Sequence, residues 1–128
     1  IKAMSAHTLP KSERLRSLGA VRRLFSDGRS GFVYPFRYMI FTEESASPSV
    51  EVLFSVPKRY HKRANKRNLL RRRTKEAYRL NKEAVTAVVA ERCLALDMAL
   101  VYSVKECVPY KTIENAVRKI LQEVGSTM

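Results

Sequence analysis

An α+β sandwich, with helices packed against one small sheet, is the fold class predicted by this 128-residue sequence. Three observations carry the expectation. Hydrophobic periodicity changes along the chain in the order helix, strands, long helix, strand, helix, so both element types must share one core. The length suits a single domain that buries a core without staples. The composition is globular, 45% hydrophobic with only four Gly and five Pro, and no repeat or low-complexity segment interrupts it.

Each element has its own signal. Residues 1–12 read as a flexible N-terminal arm, leaving 13–128 as the folded domain. Ile1 is no natural start, so Met4 is the candidate first residue, and the arm lacks the apolar stretch of a signal peptide. Ser12 and Glu13 open a segment in which Leu15, Leu18, Val21, Leu24 and Phe25 recur at three- and four-residue spacings, an amphipathic helix. Asp27-Gly28 ends it, with the Gly suited to a left-handed position. Residues 29–41 turn aromatic and β-prone, a strand with Pro35 at an edge or bulge. Residues 43–49 form a turn-rich connection. Residues 50–56 are a second strand whose continuous apolar run suggests burial, and Pro57 stops it. One long helix covers 64–91, a third strand lies at 98–104, and an amphipathic helix closes the chain over 111–124.

Charge is distributed unevenly. Residues 58–82 hold twelve Lys or Arg and one acid, Glu76, a net +11 of the total +13. Such a concentration on a helix is the footprint of a polyanion-binding surface. Nucleic acid comes first and an anionic membrane surface second, although no apolar run is long enough to span a bilayer. Placed at about 100° per residue, the helix puts Arg67, Asn68, Arg71, Arg72, Lys75, Arg79 and Lys82 on one face. Leu69, Leu70, Ala77, Leu80 and Ala84 lie opposite, as core. Lys66 and Arg73 fall within the apolar arc, so either they snorkel to solvent or the helix begins later and bends. A solvated face normally mixes signs to gain i,i+4 pairs. Here Glu76 is the only acid, so the cations repel one another until a partner neutralises them. Arg can grip phosphate bidentately, Lys supplies point charge, and Asn68 can read a sugar or base edge.

A second signal is aromatic. Tyr34, Phe36 and Tyr38 alternate along one side of a strand, and Phe25 closes the preceding helix. They either fill the core or form a platform on which single-stranded bases stack. Nothing points to catalysis by side chains: His7 and His61 have no partner at ligand spacing, and no nucleophile–base order, paired carboxylates or Gly-rich phosphate loop stands out. No catalytic or metal-ligating residue is therefore assigned. Cys93 and Cys107 lack any metal or redox spacing; they are reduced, packed thiols of a cytosolic protein or, alternatively, one disulfide.

The segment at 60–80, YHKRANKRNLLRRRTKEAYRL, closely resembles the signature of the bacterial ribonuclease P protein subunit. Arg67 and Asn68 match its opening Arg-Asn, Arg71 and Arg72 its basic pair, Lys75 the later cation, and Glu76-Ala77-Tyr78 its ending. Leu69 departs from the pattern, standing where the family has Arg. The likeness extends over about 13–124, through Glu13-Arg14-Leu15, Ser55-Val56-Pro57-Lys58-Arg59 and the strand after Asp97.

The resemblance implies an α-β-β-β-α-β-α order with a left-handed βαβ crossover, a shape shared with a ribosomal-protein domain. It implies a cytoplasmic protein that joins a large catalytic RNA, one protein per RNA, to remove the 5′ leader of precursor tRNA. The hydrolysis would belong to the RNA and its Mg²⁺. On this reading Arg67, Asn68, Arg71, Arg72, Lys75 and Arg79 bind the catalytic RNA, and Arg14, Phe25, Phe36, Tyr38 and Lys58 line a leader cleft. A ribosomal or general RNA-binding protein would share the charge without stimulating leader removal. A DNA-binding regulator would need a helix-turn-helix, whereas this helix directly follows Pro57 and a strand.

Overall fold

Where the sequence reads as one aromatic strand, the chain makes a hairpin. A computed structural model describes residues 18–128; the expected arm at 1–12 and the start of the first helix lie outside the described residues. The elements are α1 (Leu18–Asp27), β1 (Arg29–Val33), β2 (Phe36–Glu44), β3 (Ser49–Ser55), α2 (Ala64–Asn81), α3 (Glu83–Arg92), β4 (Leu94–Tyr102) and α4 (Tyr110–Thr127). Pro35, expected at an edge or bulge, instead sits with Tyr34 at the tight turn between β1 and β2, across a cis peptide bond.

The sheet is mixed, in the order β1-β2-β4-β3. β2 runs antiparallel to both β1 and β4, while β3 and β4 are parallel neighbours. Parallel neighbours need a long crossover, and α2 with α3 supplies it. The side-chain period of two then divides the core between the two faces. Phe36 and Ile40 of β2, Val50, Val52 and Phe54 of β3, and Leu96, Met98, Leu100 and Tyr102 of β4 pack under α2, α3 and α4. Ala99 and Val101 face the other way, where Leu24 of α1 meets them beside Met39, Phe41 and Leu53. β4 is the strand buried on both faces. β3, expected to be continuously buried, is an edge strand whose burial alternates.

Three further expectations change. Gly28 follows α1 without a positive φ. Its role is space: a Cβ there would lie 2.3 Å from the Leu24 carbonyl oxygen and 2.9 Å from that of Ile40. The long helix is interrupted at Lys82, a single residue of right-handed helical φ and ψ whose carbonyl accepts from the Val85 and Thr86 N–H groups, and so divides into α2 and α3. The two cysteines are exposed and free rather than packed. They flank opposite ends of the nine-residue β4, about 30 Å of extended chain, which excludes a disulfide between them.

Candidate nucleic-acid interface

The basic helix stands on a loop that is tied down from three directions. Residues 57–63 turn tightly, with the Tyr60 and His61 N–H groups donating to the Pro57 carbonyl at 3.2 and 3.3 Å. The buried His61 ring places Nε2 2.9 Å from the Val104 carbonyl and packs edge-on against Tyr102, centroids 5.3 Å apart. Tyr102 in turn accepts from the Val108 N–H at 3.0 Å and donates to the Glu106 carbonyl, so the loops before α2 and α4 share one anchor. From the other side Arg67 Nη1 donates to the His61 carbonyl at 3.1 Å and the Lys62 carbonyl at 2.6 Å. Lys58, Arg59, Lys62 and Arg63 all project from this loop into solvent.

α2 buries Leu70, Thr74, Ala77 and Tyr78. That face is turned by most of a quadrant from the arc expected from the leucines. The reason is Tyr78, which packs edge-on to Phe54 at 5.7 Å and draws the helix onto its own side. Leu80 is consequently 39% exposed and Leu69 half-buried, rather than core. Arg73 resolves its conflict with the apolar arc by donating to the Val108 carbonyl at 3.1 Å, and Lys66 is exposed. Lys82, expected among the cations, is buried: it stands four residues after Tyr78 and three before Val85, on the face that those two residues turn into the core.

The outward face carries Asn68 and Arg72, both exposed, with Arg71 and Lys75 beside them half-exposed. Arg71 Nη1 donates to Asn68 Oδ1 at 3.1 Å, which fixes the amide and leaves its NH₂ side as a donor to something outside the protein. Among the described residues Arg72 has no partner. Arg79 is committed differently, gripping Glu76 through two hydrogen bonds of 3.0 and 2.5 Å. That grip holds the Glu76 carboxyl below its ordinary pKa. The pair is electrically neutral, so Arg79 adds less to the field than its place on the wheel suggests. No acid stands in the first turn of α2, and Arg63 before it provides no side-chain cap. Cations at a helix N-terminus oppose the helix dipole, and an anionic partner would relieve both.

The residues expected to line a leader cleft do not converge. Arg14 lies outside the described residues. Phe36 is fully buried, edge-on to Tyr102 at 5.6 Å under the helices. Tyr38 shares that face; burial raises its pKa, as does the hydrogen bond its hydroxyl donates to Glu123 Oε2 of α4 at 3.2 Å. Tyr34 is in the turn. The alternation was legible, but the choice of face was not: core packing took the larger rings. Phe25 is on α1, 49% exposed, and Lys58 is on the loop after β3.

The opposite side of the sheet holds what the aromatic reading missed. Arg37, Met39 and Phe41 alternate there on β2, and Leu53 and Ser55 on β3, all at least partly exposed, with Ala99 and Val101 of β4 between the two rows. Phe32 pairs with Arg37 across the hairpin and is 58% exposed. α1 crosses this face, with Leu24 packed against Ala99 and Val101. On the same face the Arg23 guanidinium lies 4.6 Å over the Phe41 ring, 3.3 Å from Asp97 Oδ2 and 3.5 Å from Glu43 Oε1. Burial pushes the Asp97 carboxyl above its ordinary pKa, and Arg23 pulls it part of the way back.

That geometry has a testable sign. A carboxyl whose pKa is raised in the folded state costs stability above that pKa, and the cost vanishes as pH falls through it. Arg23→Ala removes the compensating cation and is expected to destabilise by about 1–2 kcal/mol at pH 7, discounted because Arg23 is itself 40% exposed. Urea denaturation should show a much smaller loss in acid. An equal loss at both pH values would mean that Arg23 acts through packing on Phe41 alone.

Comparison with known proteins bears on the same surface. A family model described as Ribonuclease P matches residues 9–125. A curated "Ribonuclease P protein component" of Porphyromonas gingivalis is 35% identical over 122 residues, spanning 94% of this chain and 88% of that one. Another with the same name, from Chlorobaculum tepidum, is 37% identical over 92 residues, 66% of this chain and 57% of its own length. Among solved structures, the RNase P protein of Thermotoga maritima superposes with a TM-score of 0.68 at 20% identity, over 87% of this chain and 96% of that one. The Staphylococcus aureus RNase P protein gives 0.66 at 18%, over 89% and 96%. At those identities the structures speak for the fold.

Proposed function

Because the chain belongs to the ribonuclease P protein family, and so to tRNA processing, we propose that it binds the family's catalytic RNA through α2 and helps it remove the 5′ leader of precursor tRNA. The observation that supports this most is the outward face of α2, where Asn68, Arg71, Arg72 and Lys75 stand together and Glu76, the one acid within α2, is paired to Arg79. Phosphate contacts from Arg and Lys would position the RNA, and the oriented Asn68 amide would read a sugar or base edge.

The leader, being single-stranded, fits the α1 side of the sheet better than the residues first expected. Met39, Phe41 and Leu53 offer a shallow apolar floor, Phe32 a stacking ring, and Arg37 and Lys58 cations for its backbone. Phe25 stands at the rim on α1. The reaction is the hydrolysis of one phosphodiester bond, and this protein's part is to screen phosphate repulsion and hold the substrate. Mg²⁺ is assigned to the RNA rather than to this chain, because the proposed RNA face is cationic and would repel a divalent cation. One protein per RNA, acting in the cytoplasm, completes the reading; among the described residues no helix is long and apolar enough to cross a membrane.

Reconstitution tests it. Mixed with a bacterial ribonuclease P RNA, the protein should accelerate precursor-tRNA cleavage at low Mg²⁺, where the RNA alone is most hindered by phosphate repulsion. Binding without acceleration would favour a general RNA-binding role instead.

A further inference from the structure

The geometry points to Arg67 as a positioning residue: it holds the 57–63 loop in a shape that RNA can use, rather than gripping RNA phosphate itself. This rests on the proposed RNA-binding function and refines which residues carry it. Arg67 opens the signature stretch and was expected to face the RNA with Asn68. Instead its Nη1 turns back to the loop and donates to two successive carbonyls, those of His61 and Lys62. It is half-buried there, while its neighbours Lys66 and Asn68 are exposed.

The loop it holds carries four exposed cations, Lys58, Arg59, Lys62 and Arg63, and no acid. Arg59 also lies over the Tyr60 ring, 5.0 Å from its centroid. Left to themselves, four like charges within six residues drive the loop to spread. Two devices oppose that. His61, inserted under the loop, bonds the Val104 carbonyl and packs on Tyr102. Arg67, from the first turn of α2, ties the loop's last carbonyls to the helix. Both bonds leave one nitrogen, Nη1, which stands one bond farther from the backbone than a lysine Nζ would, so a lysine keeps the charge but falls short of the two carbonyls. Holding the cations in place before RNA arrives removes an ordering cost from binding.

Arg67→Lys separates the two roles because it conserves charge. Amide hydrogen exchange of the free protein should show Tyr60 and His61 exchanging about tenfold faster, with β4 and α4 unchanged and the thermal midpoint little altered. Affinity for a ribonuclease P RNA should fall by about tenfold or more, and the salt dependence should also weaken, since loop cations no longer reach their phosphates together. Arg67→Gln should behave alike. A phosphate contact gives another pattern: Arg67→Lys would keep the salt slope and the loop protection, and only Arg67→Gln would lose about one counterion's worth of slope. That pattern overturns the inference, as would a loosened loop with unchanged RNA affinity. Failure of the wild-type protein to bind the RNA would instead bring down the functional reading on which the inference rests.

Discussion

Changing Arg71 and Arg72 together to alanine is expected to weaken association with a ribonuclease P RNA by roughly a hundredfold, taking each charge-assisted phosphate contact as worth about a factor of ten. The logarithmic dependence of affinity on salt should flatten by about 1.4 to 1.8, the value for two released counterions. Both residues sit on the outward face of α2, away from Leu70, Thr74, Ala77 and Tyr78, so the fold should survive. Arg72 carries the plainest expectation, since among the described residues it is exposed and unpartnered. Arg71→Ala also frees the Asn68 amide, which Arg71 orients, so the pair should lose more than two independent charges would. Titrations across a range of salt concentrations would read both quantities. Unchanged affinity and slope would remove α2 from the interface.

Phe36→Ala should severely destabilise the free protein, costing about 3–5 kcal/mol. The side chain is fully buried, stacks edge-on against Tyr102, and sits opposite it in the β2–β4 ladder. Tyr102 anchors both the β4–α4 loop and His61, so the cavity would loosen the loop under the basic helix as well. A domain of this size has on the order of 5–15 kcal/mol in total, so the loss should be plain in urea denaturation without any RNA. The alternative outcome is as clear. Unchanged stability, with weaker binding of precursor than of mature tRNA, would return Phe36 to the leader site.

Most elements were legible because they depend on local signals, although the β1–β2 hairpin read as one strand and α2 with α3 as one helix. The amphipathic spacings at Leu24 and at Ile113–Val124, Pro57 after a strand, and the apolar run at 98–104 each mark an element without reference to the rest of the chain. The basic face was legible too, because Asn68, Arg71, Arg72 and Lys75 lie within two helical turns. What failed was phase and facing. The wheel took Leu69 and Leu80 as core, but Tyr78, a ring that needs a buried neighbour, found Phe54 and turned the helix. Lys82 was misplaced for the same reason: one turn after Tyr78, it lies on the face that Tyr78 turned inward. Phe36 and Tyr38 were correctly put on one side of β2, yet the sequence has no marker for which side α4 will cover.

By itself, then, the sequence determined the class of fold, the concentration of cations on one helix and, through the residues from Arg67 to Tyr78, the resemblance that named a family. Those are properties of composition and near-neighbour spacing. The tertiary structure decided what each residue does. Arg67 turns inward to two carbonyls, Arg73 reaches Val108, Arg79 is neutralised by Glu76, and Arg37, Met39 and Phe41 lie on the α1 side of the sheet, away from the larger core. A guanidinium's partner is set by whichever acceptor packing brings within about 3 Å. For Arg67 and Arg73 that acceptor is a backbone carbonyl, which every residue has and no sequence pattern distinguishes.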